Sequence, residues 1–74
     1  MSKLPTLSGK TLIKVLEKFG YHKVRQKSSH IRLSCGGRKS ITVPNYKTID
    51  RSLLKKILRD AQISREEFLK VYED

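Results

Sequence analysis

Ile31-Arg32-Leu33-Ser34-Cys35-Gly36-Gly37-Arg38-Lys39-Ser40-Ile41-Thr42-Val43 decides how this 74-residue chain folds. Ile31, Leu33 and Cys35 alternate with Arg32 and Ser34, and Ile41 and Val43 alternate with Ser40 and Thr42. Period two marks a strand with one buried face. The glycine pair between the runs is a turn signal. A two-residue Gly-Gly loop would pair Cys35 with Arg38 and set Leu33 against Ser40, apolar beside polar. A three-residue loop, Gly36 to Arg38, pairs Cys35 with Lys39, Leu33 with Ile41 and Ile31 with Val43. One face is then uniformly apolar. Since a one-residue slip turns a strand's whole apolar set to water, burial selects the three-residue loop with a bulge. The polar face is expected to set Arg32 against Ser40 and His30 against Thr42.

Upstream of the hairpin lies Arg25-Gln26-Lys27-Ser28-Ser29-His30. It concentrates cations, an amide, two hydroxyls and an imidazole in a tight turn. Small polar residues permit such a turn and can offer backbone N–H groups to an anion. Tyr21 to Gln26 reads as a first strand with imperfect alternation. Before it, Ser8 is a good N-cap for a helix over 9–19, with Leu12, Ile13, Leu16 and Phe19 at helical spacing. Leu7 and Leu12 form a hydrophobic staple, and Gly20 follows where a left-handed end favours glycine. Met1 to Thr6 reads as a loosely held lead-in.

Downstream, Pro44 ends the third strand, Lys39 to Val43, because proline cannot donate to a ladder. Asp50 caps a second helix whose apolar stripe is Leu53, Leu54, Ile57, Leu58 and Ala61. Arg51, Lys55, Lys56 and Arg59 make its other side basic. Ser64 and Glu67 form a capping box for a third, short helix docked by Phe68, Leu69, Val71 and Tyr72, with Glu66, Glu67, Glu73 and Asp74 outward. The order is helix, three-stranded antiparallel sheet, helix, short helix: an α+β fold in a single domain over 1–74.

Hydrophobic residues at 36% and charged residues at 32% fit a folded domain rather than a disordered one. Lys and Arg number 17 against 7 Asp and Glu, a formal net charge of +10. Such an excess favours a polyanion, whether nucleic acid, an anionic membrane surface or an acidic protein. No apolar run approaches the ~20 residues of a spanning helix, so a membrane role is not expected. Met1 to Thr11 is too short and polar for a signal peptide, so the expected home is cytoplasmic. Cys35, the single cysteine, cannot form an intrachain disulfide or close a Cys-based zinc site, and reads as a small strand residue facing the core. With two histidines besides, no metal and no cofactor is expected.

The chain resembles a HicA-type toxin, also described as the YcfA family, over nearly its whole length. Four pieces carry the likeness: Ser8-Gly9-Lys10 leading into Val15-Leu16-Glu17; Phe19-Gly20-Tyr21 followed by Val24-Arg25-Gln26-Lys27-Ser28-Ser29-His30; Val43-Pro44-Asn45; and Leu54-Lys55-Lys56-Ile57-Leu58 with Ala61 and Ser64-Arg65-Glu66-Glu67-Phe68. The resemblance implies a double-stranded-RNA-binding-domain-like fold. It also implies a small ribonuclease that cuts mRNA and is neutralised by a HicB-type antitoxin. The family's functional histidine maps to His30. The chain departs from the pattern at Ser28, where the family usually has glycine, and at Tyr46, where many members carry a second histidine.

His30 is thus the expected acid or base, acting on a ribose 2′-hydroxyl or a leaving 5′-oxygen. Lys10, Arg25, Gln26, Lys27, Ser28, Ser29 and Arg32 are the expected RNA-binding residues. Lys14, Tyr46, Arg51, Lys55, Lys56 and Arg59 are expected to form an RNA or antitoxin surface, with Tyr46 available to stack on a base. His22 is the runner-up histidine. A competing reading is a non-catalytic basic RNA-binding module, separated from the nuclease only by His30. A helix-turn-helix DNA binder is disfavoured because its reading helix would be acidic.

Overall fold

A computed structural model describes residues 4–73. Its elements are α1 (Gly9–Lys18), β1 (His22–Lys27), β2 (His30–Cys35), β3 (Arg38–Pro44), α2 (Arg51–Ala61) and α3 (Arg65–Tyr72). This is the expected α+β order, consistent with a double-stranded-RNA-binding-domain-like fold. The sheet is antiparallel in the order β1-β2-β3. Met1 to Lys3 and Asp74, in the expected lead-in and acidic exterior, lie outside the described residues.

The helix ends follow from their caps. The Ser8 hydroxyl accepts from the Thr11 amide at 3.1 Å, and the Asp50 carboxylate accepts from Leu53 at 2.8 Å. Ser64 and Glu67 exchange bonds of 3.1 and 3.0 Å in a capping box. The backbone and hydroxyl of Ser64 hold the Glu67 carboxyl below its ordinary range. α1 ends one residue early, at Lys18, with Phe19 as its cap and Gly20 at φ +104°. Gln62, not a glycine, takes the left-handed position that closes α2, at φ 60°. There Arg38 donates to the carbonyls of Ala61 at 2.8 Å and Gln62 at 3.3 Å, a cation against the negative end of the helix.

Ile31 sits opposite Val43 and Leu33 opposite Ile41, as burial requires. The loop, however, has two residues, because Cys35 pairs with Arg38 and not with Lys39. The extra residue lies in β3, where Lys39 and Ser40 together oppose Ser34. This bulge lets a Gly36-Gly37 turn, with Gly37 at φ +83°, coexist with a uniformly apolar face. The register also corrects the polar pairs. Arg32 faces Thr42 rather than Ser40, and His30 faces Pro44 rather than Thr42, since both lie between or beyond the fixed apolar pairs. The Tyr21 hydroxyl donates to the Lys39 carbonyl inside the bulge at 2.8 Å, and burial raises its pKa.

Leu12 and Leu16 of α1, Leu54 and Leu58 of α2, and Phe68 of α3 pack with the apolar residues of β2 and β3 in one core. Cys35 packs half-buried against its edge. β1 is exposed along its length, and a bulge leaves Val24 52% exposed. Residues 4–7 are not loose: Leu4 and Leu7 are buried, and Ile49 donates to the Leu7 carbonyl at 2.7 Å.

Two backbone positions tie the layers together. Gly9 donates to the Tyr46 carbonyl at 2.9 Å. A Cβ there would collide with the Pro44 carbonyl oxygen and crowd the Asn45 Cα at 3.1 Å. Both are backbone atoms, so neither can swing aside. Ser28, the first residue of the two-residue β1–β2 loop, sits at φ 57°, where L-residues are disfavoured. Gly9→Ala is therefore expected to destabilise the fold by roughly 1–3 kcal/mol, as overpacking does, read as a lower urea midpoint. Ser28→Gly is expected to raise that midpoint, by up to about 1 kcal/mol of relieved strain. An unchanged midpoint in either variant would refute the corresponding backbone argument.

Candidate nucleic-acid interface

Because Ile31, Leu33, Ile41 and Val43 face the helices, the residues between them face outward. On that open face a groove of about 270 Å³ is lined by Arg25, Lys27, His30, Arg32 and Thr42. Pairing explains the set. Lys27 is opposite His30 and closes the first hairpin, and Arg25 is opposite Arg32, which is opposite Thr42. Among the described residues the lining holds three cations, one imidazole and one hydroxyl, with no carboxylate. Like charges directly across a strand pair repel, so Arg25 and Arg32 stand at an electrostatic cost that a bound anion would relieve. Arg32 is steadied by donating to the Thr42 hydroxyl at 3.1 Å, which leaves further guanidinium N–H groups for a ligand. The exposed His30 ring stands among these cations. Such a site can bind an oxyanion and exchange a proton with it.

The surrounding backbone fixes the position of His30. The Asn45 amide donates to the Ser29 carbonyl at 2.6 Å, holding the hairpin turn to the loop after β3. The next residue of that loop, Tyr46, accepts from Gly9 at the start of α1. Three segments distant in sequence thus meet beside His30, namely Ser8-Gly9-Lys10, Ser28-Ser29-His30 and Pro44-Asn45-Tyr46. Lys10 is exposed on the first turn of α1, Lys14 one turn further along, and the Tyr46 ring is 49% exposed.

Four expected residues converge in the groove: Arg25, Lys27, His30 and Arg32. Gln26 does not, because it pairs with Ile31 on the opposite face, and its amide donates to the Ser28 carbonyl at 3.1 Å. Ser28 and Ser29 shape the turn and do not line the groove. His22 lies opposite Ser34 at the far end of β1. The basic side of α2 is not one surface. Arg51 donates to the Leu4 carbonyl at 2.6 Å, and Lys55 and Arg59 line a shallow cavity with Leu4, Ile63 and Arg65. Lys56 instead faces a groove along β3. Sequence reasoning missed Thr42 as a partner of Arg32, although its outward position in the strand pattern was the available signal. It also missed the steric demand on Gly9, which comes from Pro44 and has no local signature. Among the described residues, no three His, Cys, Asp or Glu side chains gather where they could hold a metal ion.

No curated protein matches the chain. A family model described as the HicA toxin of bacterial toxin–antitoxin matches residues 9–63, most of the chain, and its span includes Gly9, the hairpin turn, the loop after β3 and all of α2. The expected family membership holds: the chain belongs to the HicA toxin family of bacterial toxin–antitoxin systems.

Proposed function

We propose that this toxin is a metal-independent endoribonuclease that cleaves mRNA in the cytoplasm, with His30 as its acid/base, and that a HicB-like antitoxin neutralises it. The observation that carries the reading is His30 among Arg25, Lys27 and Arg32 in one carboxylate-free groove. Cations there hold the scissile phosphate and take up the charge that builds on its oxygens. His30 accepts the proton of the 2′-hydroxyl as that oxygen attacks phosphorus, or donates one to the leaving 5′-oxygen as its bond to phosphorus breaks. The products are a 2′,3′-cyclic phosphate and a 5′-hydroxyl. His30 is the one imidazole of the groove, so the second proton passes through water or the substrate itself. Lys10 and Lys14 extend the phosphate contacts along α1, and Tyr46 offers an exposed ring on which a neighbouring base can stack.

Replacing a positioned acid/base typically removes 10²–10⁴-fold of rate. His30→Ala is expected to lose about 10²-fold or more in RNA cleavage while folding and retaining RNA like the wild type. Induced in cells, the wild type should arrest growth with fragmented mRNA, and the variant should do neither. If pure wild-type protein leaves RNA intact, the chain is a binding module and the nuclease reading fails. Cleavage is also expected to persist in excess EDTA; its loss there would show that a metal takes part.

A further inference from the structure

The two free edges of the sheet differ. β1 carries Lys23, Arg25 and Lys27 and is bent by the Val24 bulge, features that keep another strand from pairing with an edge. Among the described residues β3 pairs only with β2, and from the second residue of its bulge it runs through Ser40-Ile41-Thr42-Val43 without a charge. Beside that run lies a groove of about 320 Å³ between β3 and α2. Half-buried Leu53, over the buried Ile57, makes its helix wall apolar, with Lys56 beside it, and Lys39 and Arg32 border the strand side. Among the described residues Asp60 is its one carboxylate.

We propose that this edge docks the antitoxin, through an extended segment that adds to β3 as a fourth strand and alternates apolar with acidic residues. The inference rests on the family's need for a neutralising partner and on the reading of the His30 groove as the RNA site. Main-chain bonds to Ser40–Val43 give such a strand its register and affinity. Period two turns its apolar side chains toward Leu53 and its carboxylates toward Arg32 and Lys39. The groove shares Arg32 and Thr42 with the His30 groove, so a seated strand withdraws a phosphate-binding cation and crowds the cleavage site. A second copy of the chain fits poorly, because two molecules of net charge +10 repel. RNA satisfies the cations but leaves the apolar wall unused and meets Asp60.

The test is a titration of the ¹⁵N-labelled full chain with a heptapeptide alternating valine and glutamate. The expected result is saturable binding with a Kd of about 1 mM or tighter. Shifts should concentrate in Ser40–Val43 and the facing side of α2, with new hydrogen-exchange protection of the β3 amides. Lys56→Glu should weaken binding roughly fivefold, the loss of one exposed charge pair. Leu53→Glu should lose peptide binding yet keep wild-type RNA cleavage. The proposal is overturned if binding does not saturate, if shifts fall on β1, or if an RNA oligonucleotide and not the peptide moves the β3 amides. Self-association through β3 would overturn it as well. Peptide binding does not depend on nuclease activity, so failure of the cleavage reading would leave this result standing and be seen separately.

Discussion

Ile31 packs opposite Val43 and Leu33 opposite Ile41, and all four are buried against the helices. At about 25 cal/mol per Å² of apolar surface removed from water, this burial is the strongest constraint on the sheet. It leaves one choice for the residues between. Arg32 and Thr42 must face out together, and His30 must follow Arg32 on the same side. The helices therefore hold a polar face by its reverse, and the candidate site is a consequence of the core.

The charge on that face is concentrated where the fold gains nothing from it. Arg25 opposite Arg32 weakens the strand pair, and Lys27 beside His30 adds a third cation. A chain selected only for stability would interleave carboxylates here, as it does on α3 with Glu66 and Glu67. Unrelieved positive charge beside an imidazole is instead the arrangement an incoming phosphodiester completes. The backbone around it is correspondingly rigid, since Ser29 is held by Asn45, and Tyr46 by Gly9. Ser28 stays in a left-handed conformation that its side chain disfavours.

The three caps, the apolar stripes and the facing of β2 and β3 were legible because each rests on local residue types or a strict period. The length of the second loop was not. A bulge at Lys39–Ser40 satisfies the same apolar face with one loop residue fewer, and it leaves no side-chain signature. Leu4 escaped because one apolar residue among polar neighbours has no period. The cations of α2 looked like one surface in a linear reading. At 100° per residue, Arg51, Lys55 and Arg59 follow one row while Lys56 turns toward β3. His30 was legible as a residue type, but its company in the groove required the strand pairing.

The most direct measurement uses purified protein and a DNA oligonucleotide containing a short ribonucleotide segment, with the chemistry of the product ends read by mass. The account predicts a cut only 3′ of a ribonucleotide, leaving a 2′,3′-cyclic phosphate and a 5′-hydroxyl, and no such cut by His30→Ala. A 3′-hydroxyl end, or a cut between two deoxynucleotides, would contradict attack by the ribose hydroxyl under His30.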